Sequence, residues 1–95
     1  MYSFSTFVKD PNAKLDYGID WSSWLRPGDS ISASTWSVSG PDAALTTYDP
    51  AFTNTQTTVW LSGGTEDGTY LVTNHITTSA GREDDRTIEV RMEQR

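Results

Sequence analysis

Residues 68–94 read GTYLVTNHITTSAGREDDRTIEVRMEQ, and this stretch decides the fold. From Tyr70 to Ile76 the apolar side chains of Tyr70, Val72 and Ile76 fall on one parity, and Leu71, Thr73, His75 and Thr77 on the other. Successive side chains of an extended chain point to opposite faces, so the pattern predicts a long strand. Ile88, Val90 and Met92 then alternate with Thr87, Glu89, Arg91 and Glu93, which predicts a strand with one face in a core and one in water. Between the runs, Ala80-Gly81 carries turn chemistry.

Working toward the N-terminus, EDGTYLV (66–72) places a turn just before Tyr70. This is the pattern of a tyrosine corner, in which a buried Tyr satisfies its hydroxyl on a nearby backbone carbonyl. In TTVWLSGG (57–64) Val59 and Leu61 face one way and Trp60 the other. The run from Asp29 to Val38 begins with Ile31 and Ala33 but ends on Trp36 and Val38. That change of parity predicts a β-bulge and a bend near Thr35.

Turn residues at Arg26-Pro27-Gly28-Asp29, Ser39-Gly40-Pro41-Asp42, Asp49-Pro50, Gly63-Gly64 and Glu66-Asp67-Gly68 divide the rest. The strands expected are Phe4 to Lys9, Lys14 to Asp20, Asp29 to Val38, Leu45 to Tyr48, Thr57 to Ser62, Gly68 to Thr78 and Asp85 to Gln94. The fold class is therefore all-β, an immunoglobulin-like β-sandwich of about seven antiparallel strands. Residues 1–95 are read as one domain, because 95 residues leave no room for a second core.

Composition bounds the function. The apolar fraction is 35%, with Thr and Ser abundant, which suits half-solvated strands. A net charge of −6 argues against nucleic acid and against an anionic membrane, because both need clustered Lys and Arg. With no Cys there is no disulfide, thiolate metal site or thiol nucleophile, and stability must come from packing and strand pairing. MYSFSTFVKDP at the start lacks the pattern of a signal peptide, and no run has the length of a membrane span.

The chemistry-bearing residues do not assemble into a reaction. His75 is the sole imidazole, and Thr73, Thr77 and Ser79 nearby are ordinary strand residues, so His75 is read as a plain strand residue. Asp10, Asp16 and Asp20, then Glu66 with Asp67, then Glu83, Asp84 and Asp85 form acidic groups. None has the spacing of a calcium loop, and they are read as solvated turns with Arg82 and Arg86 as charge partners. The expectation is a protein that is not an enzyme and needs no cofactor or metal. Of the four Trp, Trp24 and Trp36 are assigned to packing, Trp60 to an outer sheet face, and Trp21 to either.

KDPNAKLDYGIDWSSWL (9–25), VWLSGGTEDGTYLVTN (59–74) and ITTSAGREDDRTIEVRMEQR (76–95) in this order resemble a family of short tailed-phage proteins, the fiber-tail adaptor proteins. The elements that carry the resemblance are Lys9-Asp10-Pro11, the pairs Asp16-Tyr17 and Asp20-Trp21 with Trp24 following, the string Trp60 to Gly64, and Thr77 to Arg82.

The resemblance implies a non-enzymatic virion component, assembled in the bacterial host cytoplasm. It would be present as a homo-oligomeric ring or in several copies. Its partners would be other phage structural proteins, joining tail and fiber or head and tail. A capsid-decorating or carbohydrate-binding immunoglobulin-like module is the alternative. The expected contact residues are Trp21, Trp60, Tyr48, Phe52 and Arg82. Ser39 to Gln56, which carries none of the family pattern, is the expected place for particle-specific contacts. Met1 to Val8 and the last strand are expected to offer edges for pairing with a neighbour.

Overall fold

A computed structural model describes residues 5–94. Their strands are β1 (Ser5–Lys9), β2 (Lys14–Asp20), β3 (Ile31–Ser39), β4 (Leu45–Phe52), β5 (Gln56–Gly63), β6 (Thr69–Thr78) and β7 (Glu83–Met92). Phe4, expected to begin the first strand, lies outside the described residues, as do Met1 to Ser3. One sheet has the order β1-β7-β6-β3 and the other β2-β5-β4. Placing the second, fifth and fourth strands against the third, sixth and seventh is the arrangement of an immunoglobulin sandwich.

Three expectations need correction. β1 is not antiparallel to its neighbour: it runs parallel to β7, Ser5 beside Ile88 and Lys9 beside Met92. These are the first and last strands, so the intervening chain supplies the long crossover that a parallel pair requires. The bulge lies before Thr35, since Ile31 pairs with Thr78 but Ala33 already pairs with Thr77. The extra residue falls at Ser32, whose hydroxyl donates to the Thr77 carbonyl (3.1 Å). Finally, Glu83 to Asp85 do not form a turn; the ladder with β6 continues to Thr77 and Glu83, so they open β7.

The core follows the parity. Tyr70, Val72, Ile76, Ile88, Val90 and Met92 are all buried; Val59, Leu61 and Leu45 meet five of them from the opposite sheet, while Ile76 packs in a second cluster with Trp21 and Ile31. Burying one such aliphatic side chain contributes about 1.5–3 kcal/mol. Trp36 and Val38 on β3 pack on this cluster while remaining half-buried. Gly63 and Gly64 both have positive φ (79° and 103°), and an added Cβ would strike the Ala44 carbonyl and the Met92 side chain. The turn after β5 therefore requires glycine at both places.

Candidate partner-binding surface

The outer face of the three-stranded sheet carries its largest exposed side chain at the centre. Val59 and Leu61 point inward, so Trp60 points out, and it is 38% exposed. Asp16 on β2 and Tyr48 on β4 are its direct partners across the sheet. The Tyr48 and Trp60 rings lie 6.1 Å apart, inclined by 35°. The rows on either side are small or hydroxylic except at Lys14. Gly18, Thr58 and Ala51 form one; Lys14, Ser62 and Thr46 form the other, with a 2.9 Å bond between the Thr46 and Ser62 hydroxyls. The result is an open aromatic patch bordered mostly by short side chains, with the exposed Lys14 at one corner.

The other expected contact residues are not part of this patch. Trp21 is fully buried and offers a partner no surface. Its indole N–H donates to Asn74 Oδ1 (3.0 Å), and the Arg86 guanidinium covers its ring at 4.4 Å. Phe52 is 45% exposed, but it pairs with inward-facing Thr57 and so faces away from Trp60. Arg82 sits at the end of the sandwich, stacked on Trp24 at 4.0 Å. Arg82 and Arg86, expected to serve the acidic turns, thus spend their guanidinium faces on indoles.

β7, expected to present a free edge, is covered by β1 from Ile88 to Met92. His75 points outward on β6, its Nδ1 2.6 Å from Asp85 Oδ1 and its Nε2 2.9 Å from Glu83 Oε1. Hydrogen bonding to Asp85 first, then to Glu83, raises its pKa above the ordinary histidine value. Both ring nitrogens face carboxylates, and Thr73 is bonded to Thr87 (2.9 Å) and Ser79 to Ser30 (3.0 Å). No group of three or more His, Cys, Asp or Glu side chains is placed to hold a metal ion among the described residues.

Two polar centres escaped the sequence reading. Tyr70 does place its hydroxyl at a corner, but it donates to the Asp42 carboxylate (2.5 Å) rather than to a backbone carbonyl, and accepts from the Thr65 N–H (3.0 Å). Asp42 also accepts from the Thr65 hydroxyl (2.7 Å) and the Ala44 N–H (3.0 Å). These bonds, led by that from Thr65, hold its carboxyl below the usual range. The second centre is Asn74, on the inward parity between Val72 and Ile76 and fully buried. Its Oδ1 accepts from Trp21 and from the Thr57 hydroxyl (2.7 Å), and its Nδ2 donates to Ser34 Oγ (2.9 Å) and the Thr35 carbonyl (3.0 Å). An Asn at an inward position was the available signal, because a buried amide must find partners.

Against this geometry stands one finding from comparison with known proteins: a profile of the podophage GP4 fiber-tail adaptor protein gp77 family matches residues 9–91. The chain belongs to this adaptor family. None of the curated proteins matches it. Membership makes the adaptor a structural component of a phage particle that binds other tail or fiber proteins.

Apart from Asp16 and Trp60 on the outer face, several of the residues that carried the resemblance have framework duties in the adaptor. Lys9 is buried, its Nζ donating to the carbonyls of Gly63 (2.8 Å) and Asp10 (3.0 Å). Burial pushes its pKa down while Asp10 pulls it up. Trp21 meets Asn74, Gly63 and Gly64 form a turn, and the Thr78 hydroxyl accepts from the Arg82 N–H (3.1 Å). The segment 39–56, expected to carry no family pattern, lies within the matched residues 9–91 and supplies β4 and Tyr48 of the aromatic patch.

Proposed function

We propose that the protein is a small non-enzymatic adaptor subunit in the tail or connector region of a podophage-type virion, and that it grips a neighbouring structural protein through the outer face of its three-stranded sheet. The observation that carries this reading is the Trp60–Tyr48 pair at the centre of that face, Trp60 exposed and Tyr48 half-buried beside it, held by the ladder to β2 and β4. Large aromatics near the centre of a contact are the anchors on which binding energy concentrates. Asp16 beside Trp60 adds a directional acceptor at the rim.

Phage carrying Trp60→Ala or Tyr48→Ala test it, with the fold checked on the purified variants. The expected result is particles that lose the subunit, or lose the fibers it attaches, while the free variants stay folded. Wild-type-like particles from both variants refute the contact, and absence of the wild-type chain from purified particles refutes the adaptor reading.

A second reading, sugar binding, draws on the same exposed rings beside an acidic acceptor. The 35° inclination between the rings favours an interlocking side chain over one flat sugar ring. A glycan array that reports binding lost in Trp60→Ala would reverse that preference.

A further inference from the structure

The described sheets end in four edge strands, β1, β3, β2 and β4, and they differ sharply in protection. An open edge invites another strand, and proteins usually blunt it with charge, proline or a bulge. β2 carries Lys14, Asp16 and Asp20, with Gly18 at its centre. β4 contains Asp49, with φ 48°, followed by Pro50, and its register breaks between Tyr48 and Ala51. β1 is short, five described residues, and runs parallel to its neighbour β7. β3 reads ISASTWSVS: nine residues with no charge, no proline and no glycine, regular from Ala33 onward.

We infer that β3 is a self-association edge, where β3 of a second copy adds antiparallel across a two-fold axis to join the four-stranded sheets of two molecules. Two copies with a net charge of −6 each repel where charged edges meet, and β3 is the edge that opposes no like charges. The nearest carboxylates on its sheet, Glu83 and Asp85, stand on β7, two strands in. At roughly 4.8 Å per strand that is about 14 Å from β3 of the second copy, beyond the screening length of about 8 Å in physiological salt. At the strand's ends, Asp29 accepts from the Ser30 and Ala80 N–H groups and Asp42 is engaged with Tyr70 and Thr65.

Register follows from the pleat. Inward residues must meet inward residues for the faces to continue; the bulge at Ser32 reverses the parity of Ile31, whose N–H is already bonded to the Asn54 carbonyl (2.9 Å), so the pairing runs from Ala33 to Ser37 about an axis at Thr35. Thr35 then faces Thr35 of the second copy, and Ser34 of that copy stands opposite Trp36. Trp36 and Val38 are left half-buried in the single chain. Covering this flank is what a second strand accomplishes.

The purified protein tests this without reference to any virion, so its outcome is independent of the adaptor reading. Sedimentation velocity across a concentration series is expected to show a monomer–dimer equilibrium. Thr35→Lys, an exposed substitution that opposes two ammonium groups across the axis, abolishes the dimer with an unchanged unfolding midpoint at concentrations where the wild type is monomeric; Ser37→Lys is the backup variant should the first misfold. Because the chain has no Cys, Thr35→Cys reports directly. It should form a disulfide dimer about tenfold faster than the β4-edge control Thr46→Cys, since directly opposed Cβ atoms lie about 4.5–5.5 Å apart. A wild type that is monomeric throughout, a dimer that survives Lys at both positions, or equal cross-linking rates would each overturn the inference.

Discussion

Replacing Asn74 by Leu changes the shape of the side chain little and removes every hydrogen bond it makes. The Trp21 indole N–H and the Thr57 hydroxyl, both on fully buried residues, lose their acceptor. Each orphaned buried donor costs about 1–3 kcal/mol, and the added apolar burial returns about 1–2 kcal/mol. The net loss should centre on about 2–3 kcal/mol, against the roughly 5–14 kcal/mol usual for a domain of this length. Urea unfolding followed by tryptophan fluorescence reads this as a midpoint lowered by roughly 1–3 M at constant slope.

A double-mutant cycle isolates the cause. Thr57→Val alone removes a hydroxyl whose acceptor keeps its bond to Trp21, and should cost under about 1 kcal/mol. In the Asn74→Leu background the same change removes an orphan, and should stabilise by about 1–2 kcal/mol. If Asn74→Leu costs less than about 0.5 kcal/mol, or Thr57→Val costs the same in both backgrounds, the buried amide is not the hub inferred here.

Three further outcomes follow from the same geometry. Tyr70→Phe removes a hydroxyl that donates to a carboxylate, and should destabilise by about 1.5–3 kcal/mol in the same unfolding assay. The raised pKa of His75 means that its contribution is complete below the unfolded-state value, near 6.5, and is lost as pH rises through the folded-state value. The pair is exposed, so the stability difference between wild type and His75→Gln should be at most about 1 kcal/mol at pH 5.5 and vanish in mildly alkaline solution. Trp60→Ala should leave the unfolding free energy within about 1 kcal/mol of wild type, because the ring lies on the outer face, while particle incorporation falls.

The adaptor's fold was legible because its strands obey the period of two so regularly. Tyr70, Val72, Ile76, Ile88, Val90 and Met92 could be placed inside from their parity alone, and all six are buried. The turn glycines and prolines set the breaks. Parity also told that Trp60 points out, and the Ile31-to-Val38 run announced a bulge, though not its position. Where the extra residue falls depends on how β6 meets β3, and Ser32 with Thr77 decided that through contacts between distant segments.

What the order of residues determined was local: extended backbone, breaks at turns, inward and outward faces, and an acidic chain without thiols. Which faces meet was a matter of tertiary structure. Trp21, Phe52, Arg82, Tyr48 and Trp60 look alike in the sequence as large contact-forming side chains, yet pairing buries the first under Asn74 and Arg86, turns the second away and stacks the third on Trp24. Only Trp60 and Tyr48 come together in the open. The physical reason is that strand parity is a property of neighbours in the chain, whereas burial and partnership depend on register between strands tens of residues apart, and the whole core sets that register at once.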